Sequence, residues 1–136
     1  MARLAVLDLD GTLVDSVDDL HASVSHALET LGLPPRSRDE VHGYVGEGAR
    51  VLLARAIAPR EELLEPALAA WWPHYEAHCL DRTRPYPGIP AVLAGAGRVL
   101  AVHTNKPGRR TTRPSSSAPA AWTSGRPARP ASRSLA

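Results

Sequence analysis

Two carboxylates, Asp8 and Asp10, stand one residue apart and are followed at once by Gly11 and Thr12. With a turn beginning between them, both acids can face one crevice. Paired carboxylates form a hard-oxygen site suited to Mg²⁺. Gly11 permits a tight turn, and exposed backbone N–H groups at Gly11 and Thr12 can hold phosphate oxygens. The same string also fits a solvated strand-end turn or a calcium loop. A second polar pair, Thr104 and Asn105, offers a hydroxyl and an amide to phosphoryl oxygens, or is an ordinary strand-to-loop turn. Glu47 and Arg50, beside Gly46 and Gly48, either meet a substrate carboxylate or lie in solvent. His74 and His78, at i and i+4 with Cys79 adjacent, have metal-ligand spacing. They lack further ligands nearby and read better as exposed helix residues.

These residues need elements to position them. Leu4-Ala5-Val6-Leu7 is a short apolar run ending at Asp8, which reads as a buried strand of a parallel sheet. In such sheets ligands bind just beyond the carboxyl ends of the strands. Arg98 to His103 reads as a second strand, ending at Thr104. Between the strands the pattern is helical. Val17, Leu20, Val24, Ala27, Leu28 and Leu31 recur at three- and four-residue spacing, with Ser16 and Asp19 as an N-cap pair and Gly32 with Pro34-Pro35 as the stop. Ser37-Arg38-Asp39-Glu40 is a capping box for a second helix, and a third carries Val51, Leu52, Ala54, Ala56 and Ile57. Residues 60–80 read as helical again, with a break or kink expected from Pro66 and Pro73. Trp71 and Trp72 in that stretch read as core or interface. Arg84 to Gly88 is a linker, and Ile89 to Ala96 a short helix with Pro90 in its first turn. The order is that of an α/β domain with a helical insert after its first strand.

Composition narrows the class. The chain has 136 residues, net charge +2, no Phe and one cysteine. The single cysteine excludes an internal disulfide framework and suits a reducing cytoplasm. No apolar run reaches membrane-spanning length, and the N-terminus lacks the apolar stretch of a signal peptide. The basic balance is local: residues 1–108 carry ten Lys and Arg against fourteen Asp and Glu, while residues 109–136 carry six Arg and no acid. The overall charge is therefore no argument for a nucleic-acid partner. Residues 109–136, built almost wholly of Ser, Thr, Pro, Arg and Ala, show no periodic apolar face and are expected to be disordered.

With both strand ends and the insert in view, the motifs acquire a family likeness. Asp8 to Ser16 (DLDGTLVDS) resembles the first motif of the haloacid dehalogenase (HAD) superfamily, in the form found in phosphoglycolate phosphatases. Val102-His103-Thr104-Asn105-Lys106-Pro107 resembles the second motif, Tyr86-Pro87-Gly88 the return from helical cap to core, and Val45-Gly46-Glu47-Gly48-Ala49 the cap loop that contacts substrate. The resemblance spans residues 1 to about 108. It implies an incomplete Rossmann-like core of residues 1–14 and 85–108, with an α-helical cap at 15–84. It implies Asp8 as nucleophile forming an aspartyl-phosphate, Asp10 as general acid and base, and Thr104 as phosphoryl anchor. Mg²⁺ would be held by Asp8 and Asp10, the latter through its main-chain carbonyl, and Gly46, Glu47, Gly48 and Arg50 would face substrate. The expected function is Mg²⁺-dependent hydrolysis of a small phosphomonoester by a cytoplasmic protein.

The chain also departs from that pattern. A third-motif lysine and fourth-motif acids are expected downstream, yet Lys106 is the only lysine and no acid follows Asp81. In the shifted frame joining each codon's third base to the next codon's first two, residues 110–123 are compatible with an acidic amphipathic helix ending in glycine. The tail is thus read either as a frameshift product that truncates the core or as a genuine basic tail. The corresponding functions are an impaired phosphatase and a non-catalytic remnant that binds an acidic partner. A sugar-phosphate mutase of the same superfamily is the remaining alternative.

Overall fold

A computed structural model of the protein describes residues 4–97 and 99–106; the expected disorder of 109–136 lies outside the described residues. The elements are β1 (Leu4–Leu7), β2 (Val14–Asp15), α1 (Val17–Thr30), α2 (Arg38–Tyr44), α3 (Ala49–Ile57), a 3₁₀ turn (Glu61–Leu63), α4 (Leu64–His78), β3 (Arg84–Pro85), α5 (Ile89–Gly95) and β4 (Val99–Val102). This is the expected mixed α/β order, rich in helix and with a small sheet. No helix among the described residues is long and apolar enough to cross a membrane.

β1 and β4 pair in parallel, with Leu4 opposite Val99 and Leu7 opposite Val102. The ladder continues through His103, whose N–H donates to the Leu7 carbonyl at 2.9 Å. Asp8 and Thr104 therefore leave the same edge of the sheet. β1 is not buried as its apolar run suggested: Leu4 is 62% and Val6 59% exposed. A parallel strand requires cover on both faces, and among the described residues the outward face of this two-stranded sheet has none. The two ends of the helical insert are clasped to each other, since β2 and β3 pair antiparallel with Asp15 opposite Arg84.

α1 to α4 share one core. The three- and four-residue spacing of α1 puts Leu20, Val24, Ala27 and Leu28 inside, where they meet Val41, Leu53, Ala56, Ala67 and Trp71. The capping box of α2 forms as read: Ser37 Oγ accepts from Glu40 N–H, and the Glu40 carboxylate accepts from Ser37 N–H at 2.7 Å. The cap read at Ser16 does not form. Ser16 starts α1 without a side-chain cap bond and instead donates to Asp10. α4 runs unbroken through Pro73, while Pro66 falls in its first turn, where no helical N–H is lost. Burial of Trp71 and Tyr75 on either side of Pro73 offsets the missing bond. Trp72, by contrast, is 40% exposed.

Candidate active site

The strand ends and the helical block meet in a cleft with a cavity of about 40 Å³. Asp8, Asp10, Thr104, Asn105 and Lys106 line it from the sheet side, and Val45, Gly46, Gly48, Ala49, Trp71 and Tyr75 from the helices. The two sides are joined directly: Asn105 Nδ2 donates to the Gly46 carbonyl at 2.8 Å. Gly48 has φ +90° and lies so close to this strand end that a Cβ would stand 3.5 Å from the Asn105 carbonyl oxygen. The positive φ accounts for glycine at this position, since a Cβ there would make only ordinary van der Waals contact.

Asp8 is exposed, and its Oδ1 accepts from Leu9 N–H at 2.8 Å. Asp10 is more enclosed, and two donors converge on its Oδ1: the Ser16 hydroxyl at 2.5 Å and the Lys106 ammonium at 2.9 Å. Lys106 also stands 5.4 Å from the centre of the Tyr75 ring. Burial works against the ammonium, but the oxygens of Tyr75 and Asp10 outweigh it and hold the Lys106 pKa above the ordinary lysine value. Burial in turn raises the Tyr75 phenol, with Lys106 opposing. Thr104 Oγ1 accepts from Lys106 N–H at 2.9 Å, which fixes the turn that brings the ammonium back over the cleft.

Of the residues singled out from sequence, Asp8, Asp10, Thr104, Asn105, Gly46 and Gly48 come together. Gly11 and Thr12 lie outside the cleft in an exposed turn. Their N–H groups are spent within it, Gly11 on the Val14 carbonyl at 2.9 Å and Thr12 on that of Leu9 at 3.3 Å. Glu47 and Arg50 face solvent, in ion pairs with Arg55 and with Glu65 respectively. His74 and His78 lie tilted against each other with ring centres 4.5 Å apart, but no group of three metal-capable side chains forms among the described residues. Trp71 and Tyr75 were not read as site residues, and Lys106 was read only as part of the second motif and as the chain's only lysine. Helical periodicity identified the two aromatics only as core positions, and the position of Lys106 depends on a contact across 96 residues of chain.

Residues 5–116 match the model of the family described as haloacid dehalogenase-like hydrolase, and the chain belongs to that family. It is 43% identical over 114 residues to a phosphoglycolate phosphatase of Agrobacterium fabrum, a match covering 78% of this chain and 49% of that protein. It is 42% identical over 120 residues to phosphoglycolate phosphatase 1 of Pseudomonas aeruginosa, covering 80% and 43%. Among solved structures, a predicted phosphoglycolate phosphatase from Haemophilus somnus superposes with a TM-score of 0.70 at 32% identity, over 79% of this chain and 52% of that one. The chain thus spans about half the length of the relatives it matches.

Proposed function

We propose that this cleft is a phosphoryl-transfer site that hydrolyses a small phosphomonoester of the phosphoglycolate type, with residues 15–84 acting as a cap over a core of residues 1–14 and 85–108. The observation carrying this reading is that two acids from one strand end and a hydroxyl from its parallel neighbour line one cleft. The names of the relatives supply the substrate class. An Asp8 carboxylate oxygen attacks phosphorus as the ester P–O bond breaks, giving an acyl phosphate on Asp8. Asp10 takes up a proton as the substrate binds and gives it to the departing alkoxide. It then takes a proton from the water that attacks phosphorus and frees Asp8. Thr104 and Asn105 orient the phosphoryl oxygens.

The donor set at this edge is all oxygen, which suits Mg²⁺, an ion that keeps several waters and needs only one or two carboxylates. Asp8 and the Asp10 main-chain carbonyl are the groups that would hold it. Once bound, it would neutralise phosphate charge.

The test is Mg²⁺-dependent phosphate release from phosphoglycolate by the 136-residue protein. Asp8→Asn should cut whatever rate is found by at least about 100-fold. Release that persists in Asp8→Asn would overturn the assignment.

A further inference from the structure

Among the described residues that line the cleft, Lys106 is the one cationic side chain, set against the acids Asp8 and Asp10. It is largely enclosed, its side chain 18% exposed beside an Asp10 side chain that is 15% exposed. An ammonium carries three donors. Two acceptors meet this one among the described residues, Asp10 Oδ1 at 2.9 Å and the Tyr75 oxygen. One N–H is therefore left over at the wall of the cleft. The turn that carries the ammonium also carries the Thr104 hydroxyl. Thr104 Oγ1 accepts from Lys106 N–H at 2.9 Å, which leaves its own proton for a ligand. Both free donors thus leave one turn, at the sheet edge that also holds Asp8. Asp10 does not depend on the ammonium alone for its position, because the buried Ser16 hydroxyl holds the same carboxylate oxygen at 2.5 Å.

We propose that the Lys106 ammonium is the phosphoryl-binding cation of this cleft, its third N–H donating to an oxygen of the phosphate dianion beside the Thr104 hydroxyl. The place of the phosphoryl group, near Asp8 and Thr104, is that of the function proposed above, on which this inference rests. An ammonium attracts a dianion more strongly than the single charge of a carboxylate, and its hydrogen bond to either is charge-assisted. The phosphoryl group is therefore the anion this donor takes, ahead of a carboxylate elsewhere on the substrate. Tyr75 and Asp10 steady the flexible lysine stem before the ligand arrives, so less rotamer freedom is lost on binding. Paired with Asp10 and bound to the dianion, the ammonium also offsets the repulsion between the two. Lys106 is a binding residue and moves no proton in the reaction.

The chain has a single lysine, so protein labelled with ¹³C at lysine Cε gives one side-chain methylene signal. The experiment titrates this signal in wild type with inorganic phosphate and, separately, with glycolate, at about pH 8, where phosphate is a dianion. Phosphate should move the signal to a saturating limit, and glycolate over the same range should leave it in place. Phosphate affinity, read from ³¹P line width, should fall about tenfold to a hundredfold in Lys106→Met, the loss expected for one hydrogen bond between charged groups. Lys106→Arg, which keeps the charge, should restore most of it. A lysine signal that stays put while phosphate binds would overturn this inference and leave the phosphoryl site standing. So would a Lys106→Met protein that melts lower but binds phosphate as wild type does, since the lysine would then serve only to join Asp10 to the helices. A signal that answers to glycolate as it does to phosphate would assign the ammonium to a carboxylate and overturn the phosphoryl assignment. Absence of any phosphate binding in wild type would overturn this inference together with the function it rests on.

Discussion

The acid that does most for the architecture is not in the cleft. Asp19 is 2% exposed and accepts from Arg82 N–H at 3.0 and 3.1 Å, Thr83 N–H at 2.8 Å and Thr83 Oγ1 at 2.7 Å. It thereby fixes the chain leaving α4 to the first turn of α1, next to the β2–β3 clasp. Asp19→Ala would leave two backbone donors and a hydroxyl without their acceptor, at a cost of about 3 kcal/mol. Urea denaturation followed by circular dichroism should show a lower midpoint with an unchanged slope. Sequence alone gave Asp19 a local role, as a cap partner of Ser16, because the spacing of three is visible there and a contact 63 residues away is not. Ser16 was misplaced for the same reason: its hydroxyl serves Asp10. Asp8, Asp10 and Thr104 were legible because each ends an apolar run, and parallel-strand ends converge by topology.

At the level of elements, the helices were readable wherever periodicity and caps agreed, as in α1 and α2. Reading failed where packing outweighed propensity: α4 passes Pro73 because its aromatic face is anchored in the core. The join between α1 and α4 carries a pH dependence that periodicity does not reveal. His74 stacks on His26 at 4.4 Å and lies against His78 at 4.5 Å, with Asp81 beyond. Ser23 gives its hydroxyl proton to the Asp19 carbonyl, so His74 Nδ1 is the donor in its 3.1 Å contact with Ser23 Oγ. Burial, followed by the two neighbouring imidazoles, lowers the His74 pKa below its ordinary 6.5, with Asp81 opposing. A depressed histidine is neutral in the folded state while the unfolded chain takes up the proton. Its contribution is complete above pH 6.5 and declines as pH falls from there towards the folded-state value. Thermal melts between pH 5 and 8 should show the melting temperature falling on acidification below about 6.5. His74→Gln should flatten that slope, and an unchanged slope would assign it to other groups.

For the molecule as a whole, the question is whether the charges gathered in the cleft can support turnover. Asp8, Asp10 and a phosphate dianion are like charges within a few ångströms, and at an effective dielectric near 20 each pair about 4 Å apart costs roughly 4 kcal/mol. Against them the described residues set one ammonium, Lys106, and it is already paired with Asp10 at 2.9 Å. The sheet that carries Asp8 is weakly held as well. Leu4, Val6, Val99 and Val102 are all more than half exposed, so the nucleophile sits at the end of a strand with one open face. Removing one well-placed charge stabiliser typically costs 10²–10³ in rate, and a loosely held strand adds misalignment to that loss. The 136-residue protein is therefore expected to bind phosphate esters but turn them over at less than about 1 s⁻¹, below the usual enzyme range. The check is purified protein with millimolar Mg²⁺ and phosphoglycolate or an aryl phosphate. A faster rate that disappears in Asp8→Asn would show that Lys106, released from Asp10 by the incoming dianion, together with Mg²⁺ supplies enough positive charge. A rate below that limit, together with dye binding to the open apolar face of β1 and β4, would place the deficit in the scaffold and the charge balance, with the nucleophile itself intact.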